Sequence, residues 1–295
     1  MSSIVVLDGG LATELERRGA DLSDSLWSAR LLVDNPNLIR KVHESYFAAG
    51  ADVATSASYQ ASIEGFGRRG LSAEESLRLM RLSVELADQA RRNTGGEGMV
   101  AGSVGPYGAM LADGSEYRGA YGVSLETLAA FHGPRLQALI EAGADLLAIE
   151  TCPSAIEALL VLELLQHWPG VRAWVSFTCR DDERTSEGQL ITEAVAAVAQ
   201  SRQVVAVGVN CVAPHLVDGL LTRMRAATSL PLVVYPNAGE TWDARSREWK
   251  GNPESFDPAR DVPRWIQRGA RWIGGCCRTT PSTIKAIRDT VDGHQ

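Results

Sequence analysis

The sequence predicts an α/β fold, a (β/α)8 TIM barrel formed as a single domain over residues 1–295, and three observations carry that reading. Short apolar, β-branched runs alternate with longer stretches of helical period, and the alternation completes eight times with no helix left over. Several helical stretches end on one signature ahead of the next strand: "AAGADV", "EAGADLL" and "QRGARWI". The rival architecture, a doubly wound open sheet, is disfavoured because no GxGxxG fingerprint follows the first strand.

In chain order the predicted strands are Ile4–Leu7, Ala51–Ala54, Met99–Ser103, Leu146–Ile149, Arg172–Phe177, Val204–Val209, Leu232–Tyr235 and Trp272–Gly274. The helices that follow them are Pro36–Ala49, Ala73–Arg92, Leu125–Ala142, Ala155–Gln166, Thr192–Gln200, His215–Ala227, Ala259–Arg268 and Pro281–Val291. Gly50, Gly143 and Gly269 sit just past helix C-termini, where a left-handed residue closes the helix and a missing Cβ removes the steric cost. Thr280 is placed to cap the last helix, with Pro281 as its first residue.

Composition narrows the function. The chain has 295 residues, 45% of them apolar, enough for a barrel-sized core. A net charge of -7 and a pI near 5.4, without a Lys/Arg run, argue against nucleic acid or an anionic membrane as partner. No run of about 18 apolar residues exists to span a bilayer, and "MSSIVVLDGG" has neither the basic nor the apolar region of a signal peptide. Five scattered cysteines do not suggest a disulfide framework. The expectation is a cytoplasmic protein with reduced thiols, a monomer or small homo-oligomer.

A barrel places its chemistry where strands end and βα connections begin. Those ends read Asp8-Gly9-Gly10, Ser58-Tyr59-Gln60, Ser103-Val104-Gly105-Pro106, Glu150-Thr151-Cys152, Ser176-Phe177-Thr178, Asn210-Cys211, Tyr235-Pro236-Asn237 and Gly275-Cys276-Cys277. Acids, amides and thiols concentrate there. The five histidines (His43, His132, His167, His215 and His294) fall in helices, helix ends or the tail and read as structural or solvent-facing. Two connections, 105–124 and 236–258, are long enough to suggest functional loops.

Cys211 ends the sixth predicted strand and Cys276 and Cys277 the eighth, so barrel closure can bring three thiolates to one point. Three soft ligands with a fourth position open describe a catalytic zinc site. Neighbouring side chains on a regular strand point to opposite faces. For both cysteines to reach one ion the backbone must turn irregular, a freedom that Gly274 and Gly275 provide. Core filling and a vicinal disulfide are the competing readings of the pair. Cys152 and Cys179 also lie at or just past strand ends, so position leaves the third ligand open, with Cys211 favoured for directly following Asn210 at its strand terminus.

The motifs "LDGGLATELERRG", "TSASYQAS", "GSVGPYGA", "GVNC", "VVYPNAGE" and "GGCCRTTP" resemble those of the homocysteine S-methyltransferase family, from about Val5 to Ile287. "ADLSDSLWSARLL" and "LADGSEYRGAY" are most similar to its bacterial S-methylmethionine-using branch. The resemblance implies a zinc ion on Cys211, Cys276 and Cys277, L-homocysteine as acceptor and a sulfonium as methyl donor. It supports Asp8 and Glu150 in amino-acid binding, as either carboxylate could hold an ammonium, with the turn at Gly9-Gly10 offering N–H groups to a carboxylate. The bland alternatives are that Asp8 caps its own turn and that Glu150 pairs with a barrel arginine. Asn210, Tyr235 and Asn237 are expected around the metal. Tyr59, Tyr107, Tyr117, Trp27 and Trp242 are aromatic candidates for the donor pocket. S-adenosylmethionine as donor, or selenocysteine as acceptor, would suit the same chemistry. A barrel hydrolase or lyase using Asp8 and Glu150, with structural cysteines, is the more remote alternative, and an amino-acid-binding barrel without catalysis a third.

Overall fold

Eight parallel strands, β1 (Val5–Val6), β2 (Val53–Thr55), β3 (Met99–Val104), β4 (Leu146–Cys152), β5 (Ala173–Phe177), β6 (Val204–Asn210), β7 (Leu232–Tyr235) and β10 (Ala270–Ile273), form one sheet in the order β1-β10-β7-β6-β5-β4-β3-β2. A parallel bridge between Leu7 and Val53 joins its two ends and closes the barrel. The structure, a computed structural model, describes residues 4–22, 27–243, 248–251 and 255–294, without the side chains at 27, 240–249 and 251. The predicted donor-pocket residues Trp27 and Trp242 therefore fall outside the described side chains.

The helices are α1 (Leu11–Arg17), α2 (Leu31–Asp34), α3 (Pro36–Ala48), α4 (Ile63–Gly67), α5 (Ala73–Asn93), α6 (Tyr107–Leu111), α7 (Leu125–Glu141), α8 (Ala155–Leu165), α9 (Ile191–Val198), α10 (Pro214–Ala227), α11 (Pro258–Gln267) and α12 (Pro281–Asp292). All eight predicted strand–helix units are present. The expectation that no helix is left over is corrected: α1, α2, α4 and α6 lie within βα connections, and a hairpin, β8 (Glu240–Asp243) and β9 (Glu248–Gly251), occupies the connection after β7. Helices of four to seven residues are too short to display the 3.6-residue period on which the sequence reading relied.

Two apolar cores flank the sheet. Leu7, Val53, Ala101, Leu146, Ala148, Trp174, Ala206, Val233 and Tyr235 fill the barrel interior. Alternate residues such as Leu147, Ile149, Val207 and Val209 face outward onto the helices, in the two-residue period of a strand. Alanines on β3, β4 and β6 leave room inside for the fully buried Trp174. Gly50, Gly143 and Gly269 take φ of 96°, 85° and 97°, the left-handed closure expected at those helix ends. No helix among the described residues is long and apolar enough to cross a membrane.

Candidate functional site

The strand C-termini open into a cavity of about 620 Å³, a volume suited to small-molecule substrates. Asp8, Gly9, Gly10, Tyr59, Glu150, Asn210, Tyr235, Cys211, Cys276 and Cys277 all line it. Tyr117 lines it too. Tyr107 instead packs edge-on against Phe131, ring centroids 5.0 Å apart, and is not part of the lining. Asn237 is buried behind the cavity wall, next to Ala238, whose N–H donates to the Cys277 carbonyl over 3.0 Å.

The Sγ atoms of Cys211, Cys276 and Cys277 lie within 4.8 Å of one another. Cys152 and Cys179 are buried in the core away from them, so the fold selects the third thiol that position along the chain left open. Cys277 Sγ is 3.8 Å from Cys211 Sγ and 4.0 Å from Cys276 Sγ. A tetrahedral ion with sulfur ligands about 2.3 Å away sets sulfur–sulfur edges near 3.8 Å, so these separations fit two edges of such a site. Cys211 and Cys276 hold their Sγ atoms within bonding reach of each other, with Cα atoms 5.6 Å apart. That close pair is not the vicinal one: the convergence that aims two thiols at one metal also brings them near enough to oxidise to a disulfide. Reduction frees both sulfurs as ligands.

The loop carrying Cys276 and Cys277 is pinned on both sides. Gly274 N–H donates to Val234 O (3.0 Å), Gly275 N–H to Asp8 O (3.0 Å) and Cys276 N–H to Pro236 O (2.8 Å). Its glycines are needed for a reason other than the predicted one. Neither Gly274 nor Gly275 has positive φ. A Cβ on Gly274 would lie 2.6 Å from Leu7 Cβ, and one on Gly275 would overlap Thr279, so the requirement is close approach of neighbouring chain. Five described non-glycine residues are left-handed, and four of them, Cys211 (φ 50°), Arg278 (φ 65°), Thr151 (φ 59°) and Ala112 (φ 55°), line the cavity, whereas Ala120 (φ 49°) does not. Such non-glycine conformations cluster at functional sites, where surrounding structure holds them.

Two carboxylates reach the cavity from opposite walls. Asp8 accepts from the Thr55 N–H (2.8 Å) and hydroxyl (3.1 Å) on β2, so it bridges two strands instead of capping its own turn. Burial pushes its pKa up to about 8, with the neighbouring charge of Glu150 adding to the rise. Glu150 accepts from the Ser103 hydroxyl and lies 3.0 Å from the Tyr235 hydroxyl. Burial raises its pKa as well. The buried arginine Arg135 serves other groups, donating to the carbonyls of Gly105 and Tyr59, both over 3.0 Å, so the arginine partner considered for Glu150 is not found.

The Tyr235 hydroxyl also lies 2.6 Å from Ser176 Oγ and accepts from Trp174 Nε1 over 2.9 Å. Ser176 Oγ donates to Asn210 Oδ1 over 2.8 Å. A run of polar contacts thus leads from Glu150, which accepts from the Tyr235 hydroxyl, through Ser176 to Asn210. Asn210 is fixed further by Thr151, whose N–H donates to Oδ1 and whose hydroxyl accepts from Nδ2, both over 2.8 Å. The turn at Gly9-Gly10 is less free than expected: the Gly10 N–H is taken by Thr279 Oγ1 at 3.1 Å.

Sequence reasoning missed several lining or supporting groups: Thr55, Ser103, Ser176, Trp174, Gln60, Glu116 and Arg278. Ser103, Gln60 and Ser176 stand at the predicted strand ends. Glu116 gave no signal, since it lies inside a long connection.

Cys277 is buried, and its thiol pKa is pushed up to about 12 by burial first and by Glu116 and Glu150 next. Among the cavity-lining residues there is no histidine. Ionising thiols in such surroundings calls for a bound cation, and three converging sulfurs suit a soft one. The buried Asn237 Oδ1 beside this loop is also without a hydrogen-bond partner among the described residues. Fold and site together define a barrel enzyme with a candidate thiolate metal centre in its mouth.

Comparison with known proteins makes the assignment specific. The family model described as homocysteine S-methyltransferase matches residues 5–291. The chain is 52% identical to the homocysteine S-methyltransferase of Escherichia coli strain K12 over 292 residues, 97% of this chain and 94% of that protein. It is 46% identical to the selenocysteine Se-methyltransferase of Brassica oleracea var. italica, covering 96% of this chain and 87% of that one. The crystal structure of the metallated form of the E. coli homocysteine methyltransferase MmuM superposes with a TM-score of 0.88 at 50% identity, covering 98% of this chain and 96% of that one. The oxidized form of the same enzyme superposes with a TM-score of 0.87. The chain belongs to the homocysteine S-methyltransferase family.

Proposed function

We propose that the protein transfers a methyl group from S-methyl-L-methionine to the thiol of L-homocysteine, yielding two molecules of methionine, with zinc held by Cys211, Cys276 and Cys277. The observation that carries this reading is the convergence of three cysteine sulfurs in one cavity with two buried carboxyl groups, Asp8 held by Thr55 and Glu150 by the hydroxyls of Ser103 and Tyr235. Zinc on three thiolates would supply the positive charge that keeps an incoming thiol ionised at neutral pH, where a free thiol is mostly protonated.

The chain's own residues supply position. Asp8 and Glu150 receive the ammonium of homocysteine and thereby fix the direction of its sulfur. Ser103 and Tyr235 hold the Glu150 carboxyl, and Thr151 and Ser176 hold Asn210 beside Cys211. Tyr59 and Tyr117 line the cavity and offer ring surface to a sulfonium cation. The homocysteine thiolate attacks the donor's methyl carbon. A new C–S bond forms, the methyl–sulfonium bond breaks, and its electron pair stays on the departing sulfur, which leaves as a neutral thioether. The thiol proton has already passed to solvent, and the neutral leaving group takes none. A cavity without histidine suits that requirement.

Selenocysteine as acceptor is a second reading, favoured by the full-length similarity to a selenocysteine Se-methyltransferase. S-adenosylmethionine is the alternative donor. Three reduced thiolates are easiest to maintain in a reducing compartment, and the cytoplasm is the proposed location.

The test is zinc content and methyl transfer after reduction. Wild type should hold one zinc per chain. Cys211→Ala, Cys276→Ala and Cys277→Ala should lose metal and activity together, whereas Cys152→Ala should keep both. Reduced wild type without stoichiometric zinc, or activity that survives chelation and Cys276→Ser, would sink the proposal.

A further inference from the structure

The cavity holds two buried acceptor atoms left unpaired by the described residues. Glu116 Oε2 and Gln60 Oε1 lack a hydrogen-bond partner among the described residues, and both residues line the cavity. Gln60 is held through its other end: its Nε2 donates to Ala109 O over 3.0 Å, which leaves Oε1 as the free group. Glu116 lies on the short turn Ser115–Tyr117, within the long connection after β3. Its charge is felt by Cys277 and by Tyr59, which places it on the thiol side of the cavity.

Buried polar atoms are ordinarily paired, and an unpaired one is costly. Both are acceptors, and burial raises the pKa of the Glu116 carboxyl to about 7, so the partner that would both pair these oxygens and hold Glu116 ionised is a cationic N–H donor. A sulfonium centre is a cation but has no N–H to give. The α-ammonium of an amino-acid sulfonium has three. The ammonium of homocysteine is already accounted for by Asp8 and Glu150, which approach from β1 and β4. We infer that Glu116 and Gln60 form the head-group site for the methyl donor, receiving its α-ammonium, and that they select amino-acid sulfonium donors over sulfonium donors that lack an amino group. The inference rests on the methyl-transfer reading above.

The experiment uses the zinc-loaded, full-length protein. KM for S-methylmethionine, KM for homocysteine and the apparent affinity for the desamino analogue of the donor (dimethylsulfoniobutanoate, followed as substrate or as competitive inhibitor) are compared in wild type, Glu116→Gln and Gln60→Leu. Wild type should prefer S-methylmethionine over the desamino analogue by at least about tenfold. Glu116→Gln should raise KM for S-methylmethionine by at least about tenfold and erase most of that preference, with KM for homocysteine within about twofold of wild type. Gln60→Leu should move the same constants in the same direction by a smaller factor. An unchanged donor KM, an equal loss with both donors, a rise confined to homocysteine, or a wild type that does not discriminate would each overturn the inference. Wild type that transfers no methyl group from any sulfonium would instead overturn the reading on which it rests.

Discussion

Glu150→Gln separates the binding role of this carboxylate from any structural one. Glu150 is buried and accepts from the hydroxyls of Ser103 and Tyr235. Glutamine has the same shape without the charge: its Oε1 accepts from Ser103, its Nε2 donates to Tyr235, and the Tyr235 proton turns to Ser176. The variant therefore keeps the scaffold and loses only the charge. A charge-assisted hydrogen bond contributes about 1.5–3 kcal/mol, which converts to a rise in homocysteine KM of roughly 10- to 150-fold. Burial disfavours the charged carboxylate, so thermal stability should be unchanged or higher in Glu150→Gln. The assay is steady-state methyl transfer at saturating donor with homocysteine varied, beside a thermal melt of each protein. A homocysteine KM within about twofold of wild type would refute the role in ammonium binding. A wild-type-like KM with a lowered melting temperature would assign Glu150 to the scaffold.

Two further outcomes follow from the geometry. Burial places the Asp8 pKa near 8 in the folded protein against a usual value of 3.8, so the folded state holds this proton more tightly than the unfolded chain. The sign of the linkage is then fixed: the contribution is fully present below about pH 4 and is lost as pH rises towards about 8. Urea unfolding of the reduced, metal-free protein should show stability falling over that range, with a shallower fall in Asp8→Asn; equal slopes would contradict the assignment. Gly10→Ala would put a Cβ 2.7 Å from the Cys276 carbonyl oxygen. The Cys276 loop must shift, so a loss of about 1–3 kcal/mol in stability should accompany weaker metal binding in a metal titration, and wild-type metal affinity would show that the contact does not position the thiols.

The barrel and much of its mouth are legible in the sequence because they depend on local pattern. Each strand–helix unit announces itself by a change of period, and glycine marks the helix ends at 50, 143 and 269 whatever the rest of the chain does. With the barrel assumed, residues at strand termini must face one opening, which gathers Asp8, Tyr59, Glu150, Asn210, Cys211, Tyr235, Cys276 and Cys277. The same rule also gathered Asn237, which the structure buries beside the lining, and it could not see Glu116, which belongs to a loop whose path no period records.

The sequence by itself determined the alternation of elements and the types of side chain at each strand end, since both are properties of neighbours along the chain. Only the tertiary structure decided which thiol joins the cysteine pair, because Cys211 and Cys276 are 65 residues apart and meet only once β10, β7 and β6 pair side by side. It also decided that Glu150 is held by hydroxyls instead of an arginine, and that Gly274 and Gly275 are required by the packing of β1 and Thr279 against them. The left-handed backbone at Thr151, Cys211 and Arg278 is likewise imposed from outside. None of these residues favours that conformation on its own, and it persists because hydrogen bonds from neighbouring loops hold the chain there.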